Sequence, residues 1–270
     1  MNILFIGDIF GKSGIETVKA ELPSLIHEYN VDLVIANAEN ASINGKGLNK
    51  NDYNKLQDTG INFFTLGNHA FRNSDILKYI DHVDNLVRPY NWEGDSIPGV
   101  GTQVIEKNGK KVRITSLLGQ SFINEPSTNP FSAIEEILAD SEQDIHIVDF
   151  HGETTSEKNV FGYKMDGKVD AIFGTHTHVQ TNDLRLNPKG TLYMTDVGMT
   201  GPQYSAIGAE LESVAKRMIT GMPSYFKEST KSAQFNGIVF KINDKTNKIE
   251  NFEKIFISPE NPLDKFRENE

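Results

Sequence analysis

The chain has 270 residues, of which 37% are hydrophobic and 24% charged, the balance of an ordinary globular protein with a sizeable core, expected as a single domain over 1–270. A formal net charge of −10 excludes a broad nucleic-acid surface, which needs clustered Lys and Arg. The absence of cysteine excludes disulfides, thiolate metal sites and thiol nucleophiles.

Ile3 to Ile6 is a continuous apolar run, the mark of a strand buried on both faces, and it stops at Gly7-Asp8. It begins almost at Met1 with no basic segment before it, unlike a signal peptide, and no apolar run approaches the roughly 18 residues that span a bilayer. The expected location is therefore the cytoplasm. Apolar positions Ile15, Val18, Leu22, Leu25 and Ile26 recur at helical spacing over 14–29. A second buried strand, 33–36, runs into Asn37-Ala38-Glu39-Asn40. Asn49 is placed to cap a helix to about Asp58, and 62–66 supplies the next strand, ending in Gly67-Asn68-His69. This alternation predicts a parallel sheet with helices on both faces.

Beyond it, 74–80 reads as a helix and 88–91 and 98–101 as loops. Strands at 102–107 and 111–118 flank Asn108-Gly109, a hairpin turn pair. A helix is expected over 130–140. Strand 145–150 ends at His151, strand 171–173 at Gly174-Thr175-His176-Thr177-His178, and strand 192–195 at Asp196-Val197-Gly198. Residues 210–226 form an amphipathic segment expected to cover the sheet or a neighbouring subunit. A second hairpin, 235–243 with 249–257, precedes a polar tail, 260–270, that is expected to fray.

Five apolar runs thus end in groups that bind metal or move protons: Asp8, then Glu39 with Asn40, Asn68 with His69, His151, and His176 with His178. Singly, each has a plain structural explanation, such as a turn for Asp8 or a hydrogen-bonding role for His151. Ligands of open α/β sheets, however, gather at the carboxyl ends of strands, where these five endings converge. His27, His82 and His146 lie elsewhere and read as structural. Carboxylate, carboxamide and imidazole donors without thiolate suit iron, manganese or zinc better than magnesium. Glu39 is placed to bridge two ions. Two divalent ions less Asp8, Glu39 and a bridging hydroxide leave a charge of about +1, which attracts a phosphate oxygen. His69, next to ligand Asn68, would protonate the leaving oxygen.

The ordered series Gly7-Asp8, Asn37-Ala38-Glu39-Asn40, Gly67-Asn68-His69, Val148-Asp149-Phe150-His151, Thr155-Ser156-Glu157-Lys158, Gly174 to Thr181 and Asp196 to Pro202 resembles the YmdB-type bacterial metallophosphoesterases. The resemblance implies a four-layer α/β/β/α sandwich of two mixed sheets flanked by helices. It implies two divalent or mixed-valence metal ions, iron or manganese first and zinc next. Asp8, Glu39, Asn40 and His178 would hold one ion, and the bridging Glu39 with Asn68, His151 and His176 the other. The implied substrate is a small phosphodiester such as a 2',3'- or 3',5'-cyclic nucleotide. A phosphomonoesterase or nucleotidase, or a non-catalytic regulatory or RNA-associated protein, are the alternatives. A homo-oligomer is a further expectation. The chain departs from the wider superfamily at Phe10, where a metal-binding His is usual and for which Asn40 would stand in. It departs again at Ala70-Phe71-Arg72, which lacks an acid behind His69 and offers Arg72 to a substrate phosphate.

Overall fold

The computed structural model describes residues 1–140 and 142–258. The expected fraying of 260–270 lies outside the described residues. In chain order the elements are β1 (Asn2–Ile6), β2 (Asp8–Ile9), α1 (Gly11–Tyr29), β3 (Leu33–Asn37), α2 (Lys50–Asp58), β4 (Phe63–Thr65) and β5 (Leu86–Val87). They continue with β6 (Thr102–Lys107), β7 (Lys110–Leu118), α3 (Pro130–Ala139), β8 (Ile145–His151), α4 (Thr155–Lys164) and β9 (Ala171–Thr175). The last are β10 (Arg185–Leu186), β11 (Leu192–Met194), β12 (Met199–Pro202), α5 (Leu211–Thr220), β13 (Ala233–Ile242) and β14 (Ile249–Ile257).

The strands form two mixed sheets, ordered β2-β12-β13-β1-β3-β4-β5, with β14 on β13, and β10-β11-β9-β8-β7-β6. In the first, β1, β3, β4 and β5 run parallel and β13 lies antiparallel to β1. In the second, β7, β8, β9 and β11 are parallel, with antiparallel strands at both edges.

Alternation along each strand sorts its side chains into layers. Leu4, Ile6, Val34, Ala36 and Phe64 pack on α1 and α2 through Val18, Leu22, Tyr53 and Leu56. Their neighbours Ile3, Phe5, Leu33, Ile35 and Phe63 instead meet Ile114, Ile147, Ala171 and Phe173 of the second sheet. The far face of that sheet, at Leu117, Val148 and Ile172, is closed by Ile134 and Ile137 of α3 and Phe161 of α4. The layers are therefore α/β/β/α. The expectation of helices on both faces of one sheet is corrected: one face of each sheet is covered by the other sheet. A strand buried on both faces is apolar throughout whichever element covers it.

Local chemistry explains several boundaries. The Asn49 side chain accepts the Asp52 N–H and caps α2. Asn108 and Gly109 both take positive φ, 51° and 74°, in the tight turn between β6 and β7. The helix expected over 74–80 is instead two short 3₁₀ turns, Ser74–Lys78 and Ile80–His82. Helix α4 was not expected at all. Helix α5 forms where the amphipathic pattern lies, but none of its residues is buried, so it does not cover the sheet. Among the described residues no helix is long and apolar enough to cross a membrane.

Candidate metal centre

Because β1, β3 and β4 are parallel, and β8 and β9 are parallel, their carboxyl ends lie along one edge of the sandwich. Asp8 follows β1, Glu39 and Asn40 follow β3, Asn68 and His69 follow β4, His151 ends β8, and His176 and His178 follow β9. All eight meet. His151 Nε2 lies 3.2 Å from Glu39 Oε1, 2.9 Å from Asn68 Oδ1 and 3.0 Å from His176 Nδ1. Beside this group, Asn40 Nδ2 lies 3.1 Å from His178 Nε2 and 3.0 Å from Glu39 Oε1, and His178 Nε2 is 3.8 Å from Asp8 Oδ1. Glu39 touches both groups.

The outward nitrogen of each histidine fixes where its lone pair points. Thr175 Oγ1 donates to the Asp149 carboxylate at 2.6 Å, so at 2.8 Å it accepts from His151 Nδ1. His176 Nε2 is 3.0 Å from the Glu153 carboxylate, and His178 Nδ1 is 2.9 Å from the Ile207 carbonyl, both groups that only accept. In the neutral rings the lone pairs therefore sit on His151 Nε2, His176 Nδ1 and His178 Nε2, all turned inward. The Asn68 amide is set the same way: Nδ2 donates to Glu125 Oε2 at 3.3 Å, and Oδ1 faces His151.

Four acceptors, from Glu39, Asn68, His151 and His176, thus face one another with no donor among them. One ligand atom each from Glu39, His151 and His176 lie within 4.8 Å of one another. Asp8 Oδ1 is buried without a hydrogen-bond partner among the described residues. Such a set suits a bound cation. With protons alone, burial would lower the His151 pKa, but Glu39 above all, then Asp8 and Asp149, raises it to about 9. Burial pushes Glu39 up, yet the charge and hydrogen bond of His151, with help from His69, hold it well below the carboxylate range. Burial raises Asp8 despite His151, and it lowers His176 to about 3, with His151 adding to the shift. Histidines kept neutral with inward lone pairs, beside carboxylates and a carboxamide oxygen, fit transition-metal ions.

The backbone is shaped to the cluster. A Cβ on Gly67 would sit 2.4 Å from Glu39 Oε2 and from the His151 ring, so only glycine admits the carboxylate. His176 and His178 are alternate residues, which in an extended strand would point to opposite sides. Here the backbone bends, with φ of 102° and 65°, and both rings turn inward. The bend is braced by Asp196, which accepts from Thr177 N at 3.0 Å and Oγ1 at 2.8 Å. Asp196 is in turn paired at 2.7 Å with Lys158 of α4, and both side chains are 1% exposed.

His69 lies against the cluster with about a third of its side chain exposed. Its Nδ1 is 2.6 Å from Asn40 Oδ1, and its backbone N–H donates to Glu39 Oε2 at 2.8 Å. Asn40 therefore turns its oxygen to His69 and its nitrogen to His178. Phe10 packs edge-on against His178, ring centroids 5.7 Å apart. Arg72, expected to reach a substrate phosphate, pairs at 2.7 Å with Glu125 and keeps more than half of its side chain exposed. Sequence reasoning missed Glu125, Glu153 and the structural part played by Asp149; only the acid spacing of Glu153, two residues past His151, offered any signal. His146 is buried, with Nε2 2.9 Å from Thr115 Oγ1, a structural histidine as expected.

Comparison with known proteins agrees over nearly the whole chain. Residues 4–255 match the family model described as YmdB-like protein. A Bacillus subtilis relative named 2',3'-cyclic-nucleotide 2'-phosphodiesterase is 40% identical over 260 residues, 96% of this chain and 97% of the relative. The crystal structure of a phosphatase from Mycoplasma pneumoniae superposes with a TM-score of 0.92 at 42% identity, covering 96% of this chain and 93% of the other. A hypothetical protein from Thermus thermophilus superposes with a TM-score of 0.90 at 36% identity, covering 96% and 99%.

Proposed function

The chain belongs to the YmdB-like protein family, and from that premise we propose that it is a metal-dependent phosphodiesterase acting on small phosphodiesters, cyclic nucleotides among them. The observation that supports the reading is the set of inward-facing acceptors on Glu39, Asn68, His151 and His176, a constellation suited to metal cations. Asp8, Glu39, Asn40 and His178 would hold one ion, and Glu39, Asn68, His151 and His176 a second. What such ions supply when bound is a nucleophile at neutral pH and positive charge against the phosphoryl oxygens.

His69 moves the proton, and Asn40 decides from which atom. With the Asn40 oxygen on Nδ1, that nitrogen holds the hydrogen of the neutral ring and Nε2 keeps a lone pair. A proton taken up at Nε2 is then the one that can pass to the leaving oxygen, after which the ring is again neutral with its hydrogen on Nδ1 facing Asn40. The cyclic-nucleotide preference rests on the name of the Bacillus subtilis relative.

Turnover of bis(p-nitrophenyl) phosphate against p-nitrophenyl phosphate tests the reading. Faster hydrolysis of the diester is expected; a strong preference for the monoester would make the protein a phosphomonoesterase.

A further inference from the structure

One face of the first sheet is apolar for as long as the second sheet covers it. On β13, Ile238, Phe240 and Ile242 lie in the layer between the sheets, and on β14 Phe252 packs against that layer. Side chains two residues apart share a face, so Gln234 and Asn236 continue the β13 row, and Lys254 and Phe256 the β14 row. The pairing of Asn236 with Phe256 and of Ile238 with Lys254 brings the two rows together. Beyond the covered positions the face thus turns from aliphatic to carboxamide, ammonium and phenyl. A cavity of about 580 Å³ opens there, its opposite wall formed by His178, Val179 and Gln180 of the loop that follows β9. That volume is within the range of small-molecule sites.

The lining narrows what the cavity can hold. Gln180, Gln203, Gln234 and Asn236 contribute carboxamides, and among the described residues no carboxylate lines it. Gln180 Nε2 donates to the Ile255 carbonyl at 3.0 Å and Gln234 Nε2 to the Met199 carbonyl at 3.2 Å, while Gln203 Oε1 accepts from Ser258 Oγ at 2.5 Å. Each bond uses one end of its amide and leaves the other, Gln180 Oε1, Gln234 Oε1 and Gln203 Nε2, without a partner among the described residues. Asn236 is wholly buried; its Nδ2 donates to the Met199 carbonyl at 2.7 Å, and its Oδ1 has no partner among the described residues. Lys254 is engaged by Asn182 Oδ1 at 3.0 Å rather than held ready for a phosphate. At the rim Phe256 is 49% exposed and Val179 60%. Neutral donors and acceptors read the edge of a nucleobase, a carboxamide matching N6 and N7 of adenine, and an exposed aromatic side chain stacks on its face.

The cavity adjoins the metal cluster, and His178 belongs to both. Its Nε2 turns to Asn40 and Asp8, its Nδ1 donates to the Ile207 carbonyl, and the two residues also line the cavity. A group seated here is therefore next to whatever the cluster holds.

We propose that this cavity is the base-binding subsite of the phosphodiester substrate, with Gln203 and Gln234 at the edge of a nucleobase and Phe256 on its face. The assignment rests on the phosphodiesterase reading above for the phosphate, and on the cavity alone for the base.

Two measurements test it. The first reads KM of the manganese-loaded chain for adenosine 2',3'-cyclic phosphate and for glycerol 1,2-cyclic phosphate, a five-membered cyclic diester without a base. Phe256→Ala and Gln234→Leu should each raise KM for the nucleotide about tenfold and hardly move that for the glycerol ester, with Phe256→Tyr keeping the wild-type value. The second is independent of hydrolysis. Adenosine, which carries no phosphate, should bind the wild type at millimolar concentration in saturation-transfer NMR, and Phe256→Ala should abolish the signal. A KM change shared equally by both esters, no change for either, or no adenosine binding that depends on Phe256 would overturn the proposal. A chain that binds adenosine through Phe256 yet hydrolyses neither ester would uphold the subsite and overturn the phosphodiesterase reading instead.

Discussion

Glu125 bears most directly on the chemistry among the residues outside the expected ligand set. A carboxylate can only accept, so its bond to Asn68 Nδ2 forces the amide oxygen inward, and Arg72 holds it there from the other side. Glu125→Ala should weaken the proposed metal site that includes Asn68 about 10- to 100-fold, with Glu125→Gln keeping most of the affinity, as read by metal titration. His69→Ala should lower diester turnover by roughly 10²–10⁴ while the metal content stays unchanged, which separates proton transfer from ligation. The residues that meet in the cluster were legible in the sequence because each ends an apolar run. Glu125 and Glu153 were not, since they reach the cluster from loops whose path the local sequence does not encode. A pH effect belongs to this scale too. Burial raises Asp170 from 3.8 to about 6, although the His146 N–H bond works against the shift. The native state therefore holds that proton more tightly than the unfolded chain. Its stabilising contribution is complete below pH 4 and is lost as the pH rises through 6. Asp170→Asn should be more stable than the wild type at pH 8, by at most about 3 kcal/mol, and the difference should vanish by pH 4 in urea melts.

At the scale of elements, α4 illustrates why a helix can be invisible to pattern. Its inward residues are Lys158, Phe161 and Gly162, so the face that should read as apolar carries a charge and a missing side chain. The lysine is buried because it answers Asp196, which braces the bend between His176 and His178. Lys158→Met leaves that carboxylate buried without its partner. We expect a loss of about 3–5 kcal/mol in unfolding free energy, with weaker metal retention from the loosened histidine loop. The hairpin at Asn108-Gly109 was legible because its turn chemistry is local, and the Asn49 cap likewise. The 3₁₀ turns at Ser74–Lys78 and Ile80–His82 were not, since a span of seven residues holds too few periods to tell one helix type from another.

For the whole molecule, the two-sheet sandwich is what turns scattered strand ends into one cluster. Each sheet brings its parallel strands to the same edge, and packing the sheets face to face sets Asp8, Glu39 and Asn68 from one against His151, His176 and His178 from the other. Local rhythm predicted the parallel core but not that a sheet would cover it, since pairing across the layers depends on contacts far apart in sequence. The direct measurement is the metal content of the purified chain by mass spectrometry, alongside hydrolysis of bis(p-nitrophenyl) phosphate before chelation, after it, and after manganese or iron is restored. The account predicts a pair of ions per chain, both lost in Glu39→Ala and mainly one in His178→Ala, with activity that disappears on chelation and returns with the metal. A chain that carries no metal and hydrolyses no diester when manganese or iron is added would contradict it.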